Sequence, residues 1–269
     1  VAIRLVAAAL AVGIALLATM CCAWRVQRIT GNCGWIDVFW TFGTGAAAVV
    51  IALVPLDGIA WPHLRQLVVA AFAGLWSLRL GSHILLRTRQ TDDDPRYRAM
   101  IRQWGTKAPT KLFWHLQVQA LVGLLLAICI MLAARNPAGM LRIQDVVAIL
   151  IFLTGIVGEA ISDAQLHRFK QSAENRGKIC DISLWSWSRH PNYFFEWLCW
   201  SAYPLLAIEI NGTYPFGFLA ALAPLCMFWL LTRVSGIPPL EAYMLSTRGA
   251  DFRTYQHRVS AFFPWPPRR

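Results

Sequence analysis

The chain is poor in charge. Asp, Glu, Lys and Arg make up only 14% of its 269 residues, and acids are the scarcer sign, 14 against 25 Lys and Arg. A water-soluble domain carries about 25% charged residues, so a mainly aqueous surface is excluded. Pairing signals are missing as well. Of the seven cysteines, Cys21, Cys22, Cys129, Cys199 and Cys226 fall in or beside apolar runs, where Cys behaves as a small hydrophobe. Cys33 and Cys180 fall in polar connections, and no disulfide framework is indicated. His63, His83, His115, His167, His190 and His257 are scattered without metal-ligand spacing, so no metal centre is expected. The apolar runs do not alternate, which argues against a transmembrane barrel. There is no internal repeat and no polar stretch long enough for a soluble second domain.

What the chain has is length in its apolar runs. Apolar residues make up 57% of it. A helix needs roughly 20 apolar residues to cross a hydrocarbon core. Seven runs meet that need, at about Leu5–Trp24, Trp35–Val54, Gln66–Leu86, Leu112–Ala133, Gln144–Ser162, Tyr193–Ile210 and Tyr214–Thr232. The expected fold is an all-α integral membrane protein, one membrane domain of seven transmembrane helices. The first run is read as a membrane helix and not a signal peptide, since only Arg4 precedes it and no small-x-small site follows.

Basic residues set the expected orientation. Of the 25 Lys and Arg, all but Arg4, Arg65, Arg79, Arg135 and Arg142 fall in loop one, loop three, loop five or the C-terminal tail. That asymmetry predicts an N-terminus outside and a cytosolic C-terminus. It also explains the net charge of +11 without nucleic acid, which would call for cations interleaved with aromatics on a soluble face. Membrane lipids are the expected partners of the surplus cations.

Polar residues concentrate on the tail side. Glu159 and Asp163 stand four apart, on one face of span five. Arg168, Asn175, Arg176 and Lys178 follow. Arg189-His190-Pro191-Asn192-Tyr193-Phe194-Phe195-Glu196 opens span six. Pro191 suits a first helical turn, and the N–H groups there, with Arg189, can hold an anion. The tail adds Glu241, Tyr243, Arg253, Tyr255 and Arg258, after a stop at Gly236-Ile237-Pro238-Pro239 and with a turn expected at Gly249. A fourth group is Asp37 in span two with Arg79 and His83 in span three. Asp37 lies in Trp35-Ile36-Asp37-Val38-Phe39-Trp40, an apolar, aromatic setting that favours a neutral carboxyl. A structural ion pair of Asp37 with Arg79 is the plainer alternative. Arg, Lys, Asn and Tyr around intramembrane carboxylates suit a polyanionic cofactor and a lipophilic substrate.

These motifs resemble the bacterial branch of the steroid 5-alpha-reductase family. Ser162-Asp163, Arg189 through Glu196, Ser235-Gly236-Ile237-Pro238-Pro239-Leu240-Glu241, Tyr255 and Pro264-Trp265-Pro266 carry the resemblance. It implies a seven-helix fold in the bacterial cell membrane with NADPH bound near the cytosolic side. By motif match, Asp163, Arg168, Asn175, Arg176, Lys178, Arg189, His190, Asn192, Tyr193, Glu241, Tyr255 and Arg258 surround the cofactor. Two positions depart from the family pattern. Phe195 stands where Gly usually precedes the Glu, and Ile84 falls where a later helix usually supplies a Tyr. The early helix offers Asp37 in place of a Gln-Glu pair.

The expected activity is NADPH-dependent reduction of the double bond of a conjugated 3-oxo-4-ene steroid or similar lipophilic enone. Hydride reaches the beta carbon while an acid assists at the carbonyl oxygen. Asp37 is the first candidate for that acid, with His83 and Glu196 behind it. Trp35, Asp37, Trp40 and His83 are the expected substrate contacts. An S-adenosylmethionine-dependent membrane methyltransferase of the isoprenylcysteine carboxyl or phospholipid type shares the Arg-His-Pro-x-Tyr and tail-Glu pattern. Those enzymes carry two adjacent tail glutamates, whereas Glu241 stands between Leu240 and Ala242. A lipid-binding scaffold is the third class, and the clustered Asn, Tyr and carboxylates argue against it.

Overall fold

The computed structural model describes residues 2–55, 62–90 and 94–268. Arg269, one of the tail cations, lies outside the described residues. Nine α-helices are found among them: α1 (Ala2–Thr30), α2 (Gly34–Leu53), α3 (Leu64–Gln90), α4 (Pro95–Trp104), α5 (Ala108–Ala134), α6 (Ile143–Gln171), α7 (Pro191–Ala207), α8 (Leu222–Trp229) and α9 (Ile237–Arg258). A 3-10 run, Pro215–Ala221, leads into α8, and a π turn, Leu230–Val234, follows it.

Six helical runs are long and apolar enough to cross a membrane. They include α1, α2, α3, α5 and α6, and the sixth contains α8. We read the polar stretch after Gly236 as lying outside the bilayer. The expected span Tyr193–Ile210 is the 17-residue helix α7, about 25 Å long at 1.5 Å per residue. Lipid exposure is written on the helix surfaces. α1 exposes Ile3, Val6, Leu10, Ile14 and Leu17 while burying Val12, Leu16, Met20 and Ala23. A helix apolar on every face belongs in a membrane.

The chain forms two compact units, residues 1–148 with 203–223, and 149–202 with 224–269. In the first, α1, α2 and α5 pack around Leu16, Met20, Ile36, Ile51, Leu112 and Leu116. The third connection, read from the sequence as a basic loop, contains α4. Asp94 caps it by accepting from the Arg96 N–H at 3.0 Å, and Pro95 takes the first helical position. Its apolar Tyr97, Ile101 and Trp104, spaced by four and three, join that core.

Arg65 and Arg142, among the few arginines outside the basic loops and tail, belong to the same unit and are structural. Arg65 is bonded to both oxygens of the fully buried Asp145, at 2.9 and 2.8 Å, and to the Leu206 carbonyl at 3.1 Å. Arg142 meets Asp145, Glu209 and the carbonyls of Leu205, Leu206 and Ile208. Asn136 donates to the Ala207 carbonyl at 2.9 Å. A helix leaves its last four carbonyls without intrahelical donors, and here side chains supply them at the end of α7.

The second unit is the lower part of α6, the connection 172–190, the start of α7, and α8 with α9 and the tail. α9 breaks at Gly249, at φ 54°, where the sequence reading places a turn.

Candidate functional site

In the second unit the tail is stitched to the 172–190 connection by backbone and side-chain bonds. The Ser188 hydroxyl, fully buried, donates to the Phe262 carbonyl at 2.9 Å. The Arg189 N–H donates to Ser260 O at 2.8 Å, and the Trp265 N–H to Trp187 O at 3.0 Å. Tyr255 is buried, and its hydroxyl donates to the Trp185 carbonyl at 2.5 Å. Burial pushes its phenol well up. The Trp185 indole N–H in turn reaches Ser162 O at 3.0 Å, tying tail, connection and α6 together.

Glu241 is the hub of this seam. Its Oε1 accepts from Arg189 Nε at 2.7 Å and lies 3.0 Å from His190 Nε2. Its Oε2 accepts from Gln256 at 2.7 Å. Burial alone would raise the Glu241 carboxyl, but His190 and Arg189 outweigh it and hold it at about 2. Burial lowers His190 below the ordinary imidazole value, more than Glu241 raises it. The His190–Glu241 contact is therefore a hydrogen bond from a neutral imidazole at pH 7. The rest of the Arg189 guanidinium donates to Gln256 O at 3.0 Å and to Val259 O. Arg189 and His190 are thus joined to Glu241, and Tyr255 to Trp185, so their polar atoms are largely committed within the protein.

The remaining cofactor candidates surround this seam. Asn192, at the first turn of α7, donates to Asp163 Oδ1 of α6 at 3.2 Å. Tyr193 stacks on His190, with ring centroids 5.5 Å apart. Asn175 closes the end of α6 by donating to Phe169 O at 3.1 Å. Arg168, Arg176 and Lys178 are exposed, and none of them is paired with an acid among the described residues. Arg258, also exposed, pairs with Asp181. The same unit thus holds a carboxylate–amide pair, suited to hydroxyls, and exposed cations, suited to phosphates.

Phe195 has a local explanation. It packs on Gly158 of α6, where a Cβ would come within 2.4 Å of its ring. At Gly155 a Cβ would meet Phe195 O at 2.9 Å. The glycine that the family pattern has in α7, and this chain lacks, is thus matched by glycines on the facing helix. Glu196 is buried in the same unit and accepts from the Trp200 indole N–H at 3.0 Å.

Asp37 belongs to the first unit and is paired differently from either sequence reading. Its Oδ2 accepts from Arg96 at 2.5 Å and its Oδ1 from the Tyr97 hydroxyl at 3.0 Å. It is neither in a purely apolar pocket nor paired with Arg79. Arg96 also bonds Asp94 through Nε and Nη2, at 3.0 and 2.8 Å. Burial would raise the Asp94 carboxyl, and Arg96 with Arg87 outweighs it and lowers it. Gln119 donates to the Tyr97 oxygen at 2.9 Å and stands 3.3 Å from His115. Trp40 donates from its indole to Gln119 O at 3.0 Å, so it supports this group. Trp35 and His83 are half-buried on α2 and α3. Sequence reasoning passed over Arg96, Tyr97, His115 and Gln119. The available signal was Asp94-Pro95, a helix-opening pair, after which Tyr97 falls on the apolar face of α4.

Among the described residues, no group of three or more His, Cys, Asp or Glu can hold a metal ion.

Fold and site define the class first: an all-helical, multi-pass membrane protein with a polar, cation-rich surface beside its tail. A family model described as "Protein of unknown function (DUF1295)" matches residues 23–259, and the chain belongs to that family. An uncharacterized protein of Schizosaccharomyces pombe is 27% identical over 267 residues, covering 90% of this chain and 75% of the relative. No solved structure matches the chain.

Proposed function

We propose that the protein is an NADPH-dependent reductase of a conjugated, lipophilic ketone, a 3-oxo-4-ene steroid or a similar enone. The observation that carries this reading is the Tyr97 hydroxyl bonded to Asp37, with Arg96 on the other carboxylate oxygen. Reducing an enone builds negative charge on the carbonyl oxygen, and a positioned proton donor lowers that barrier. Methyl transfer to a carboxylate or an amine develops no such oxyanion and has no use for a phenol donor. The motif resemblance to steroid 5-alpha-reductases supports the same choice.

In this reading Asp37 acts through Tyr97. Arg96 and Tyr97 both donate to Asp37; the phenol's single proton reaches a carbonyl oxygen when the Tyr97 O–H turns from Asp37 to the substrate, leaving a phenolate that takes a proton back from solvent. Gln119, donating to the Tyr97 oxygen, helps to carry charge left there. The cofactor surface belongs to the second unit. Asp163 and Asn192 offer hydrogen bonds to hydroxyl and amide groups, and Arg168, Arg176, Lys178 and Arg258 offer cations to phosphates. A bound nicotinamide supplies the hydride. Arg189, His190, Glu241 and Tyr255 hold the tail in place beside that surface. We place the protein in the bacterial cell membrane with seven spans, counting α7 as the sixth, and with the tail in the cytosol.

The test uses the detergent-purified chain. NADPH, and not S-adenosylmethionine, is expected to bind and stabilise it. Tyr97→Phe and Asp37→Asn leave NADPH binding nearly intact while turnover on an enone falls by about two to four powers of ten. Binding of S-adenosylmethionine alone would move the protein to the methyltransferases. Full turnover in a folded Tyr97→Phe enzyme would remove the phenol from the mechanism.

A further inference from the structure

Beyond α9 the tail turns back and borders an open cavity of about 300 Å³, lined in part by Arg189, His257, Arg258, Trp265 and Arg268. No acid lines it among the described residues. Arg189 is balanced by Glu241 and Arg258 by Asp181, but neither carboxylate lines the cavity. Arg268 is paired with no acid among the described residues. Its backbone N–H donates to Arg258 O at 2.9 Å, which ties the end of the tail to the end of α9. Trp265 is 68% exposed, and its own backbone is fixed to Trp187.

We infer that this cavity binds a terminal phosphate, a phosphomonoester. Three arginines and a histidine line one small volume that no acid lines among the described residues; such a set matches a dianion with three acceptor oxygens, and guanidiniums meet phosphate in bidentate fashion. The volume lies at the lower end of small-molecule pockets. It suits a phosphate with the sugar or glycerol it is attached to, and not a whole dinucleotide. The Trp265 ring gives the attached group a flat apolar neighbour. Two sources share this chemistry. One is the 2′-phosphate of an adenosine, which rests on the reductase reading. The other is the headgroup of a phosphomonoester lipid such as phosphatidic acid, which does not.

The experiment measures ligand binding to the detergent-purified full chain by thermal stabilisation. Adenosine 2′,5′-bisphosphate is compared with AMP, and phosphatidic acid with phosphatidylcholine in bicelles. At least one phosphomonoester is expected to outbind its partner lacking that group. The exposed double variant His257→Gln/Arg268→Gln is expected to weaken that ligand about tenfold or more, with Arg233→Gln as an unaffected control. The ligand that responds names the source. Equal binding of each pair by the wild type, or an advantage that survives in the double variant, overturns the inference. NADPH binding unchanged in the double variant sinks the nucleotide source and leaves the reductase reading standing. Absence of NADPH binding to the wild type sinks the reductase reading, while the lipid arm still decides the cavity.

Discussion

At the scale of single residues, Glu241 is the most consequential carboxylate of the second unit. Arg189, His190 and Gln256 all point at it, and it is held at about 2. A carboxyl depressed below its unfolded value contributes stability that is present above the unfolded pKa and lost as pH falls toward the folded one. The loss here runs from about 4.5 down to about 2. His190 adds to it in the same direction. Its folded value is lowered, so the unfolded chain takes up the proton first as pH falls below the ordinary imidazole value of 6.5. Acidification is therefore expected to loosen the tail first, beginning below about pH 6.5 and steepening below 4.5. Limited proteolysis of the tail across that range measures it. Glu241→Gln should flatten the steep part, and an unchanged profile would count against the hub.

At the scale of elements, the contact of α6 with α7 depends on a glycine facing an aromatic ring. Phe195 fills the space that Gly158 leaves. Gly158→Val should cost about 1–3 kcal/mol by overpacking, seen as a lower melting temperature. Adding Phe195→Ala should recover part of it, because the two side chains compete for one volume. Additive losses in the double variant would mean the helices do not meet there. α4 teaches a related lesson. Its charged residues made the segment look like a loop, because Arg96, Arg98 and Arg102 dominate a helix of ten residues. Only Tyr97, Ile101 and Trp104, read at helical spacing, show its buried face. Tyr97, the proton donor of the proposed reaction, was hidden for the same reason.

At the scale of the molecule, the basic asymmetry sets the expected topology, seven spans with the tail in the cytosol. A C-terminal green fluorescent protein fusion should fluoresce, and a C-terminal alkaline phosphatase fusion should stay inactive. The opposite pattern would reverse the side on which the tail cavity and the cation-rich surface lie. The membrane class and the long helices were legible in the sequence because apolar length and the absence of charge suffice for them. So were the turn at Gly249 and the start of α7 at Pro191, since helix-end chemistry is local. What only the tertiary structure decided was who pairs with whom across long sequence separations. Asp37 takes Arg96 and Tyr97 in place of Arg79, Arg65 and Arg142 share Asp145, and Tyr255 spends its hydroxyl on the Trp185 carbonyl. Composition says that a buried charge needs a partner, but several partners are chemically equal on paper. The packing of helices chooses among them by distance and direction.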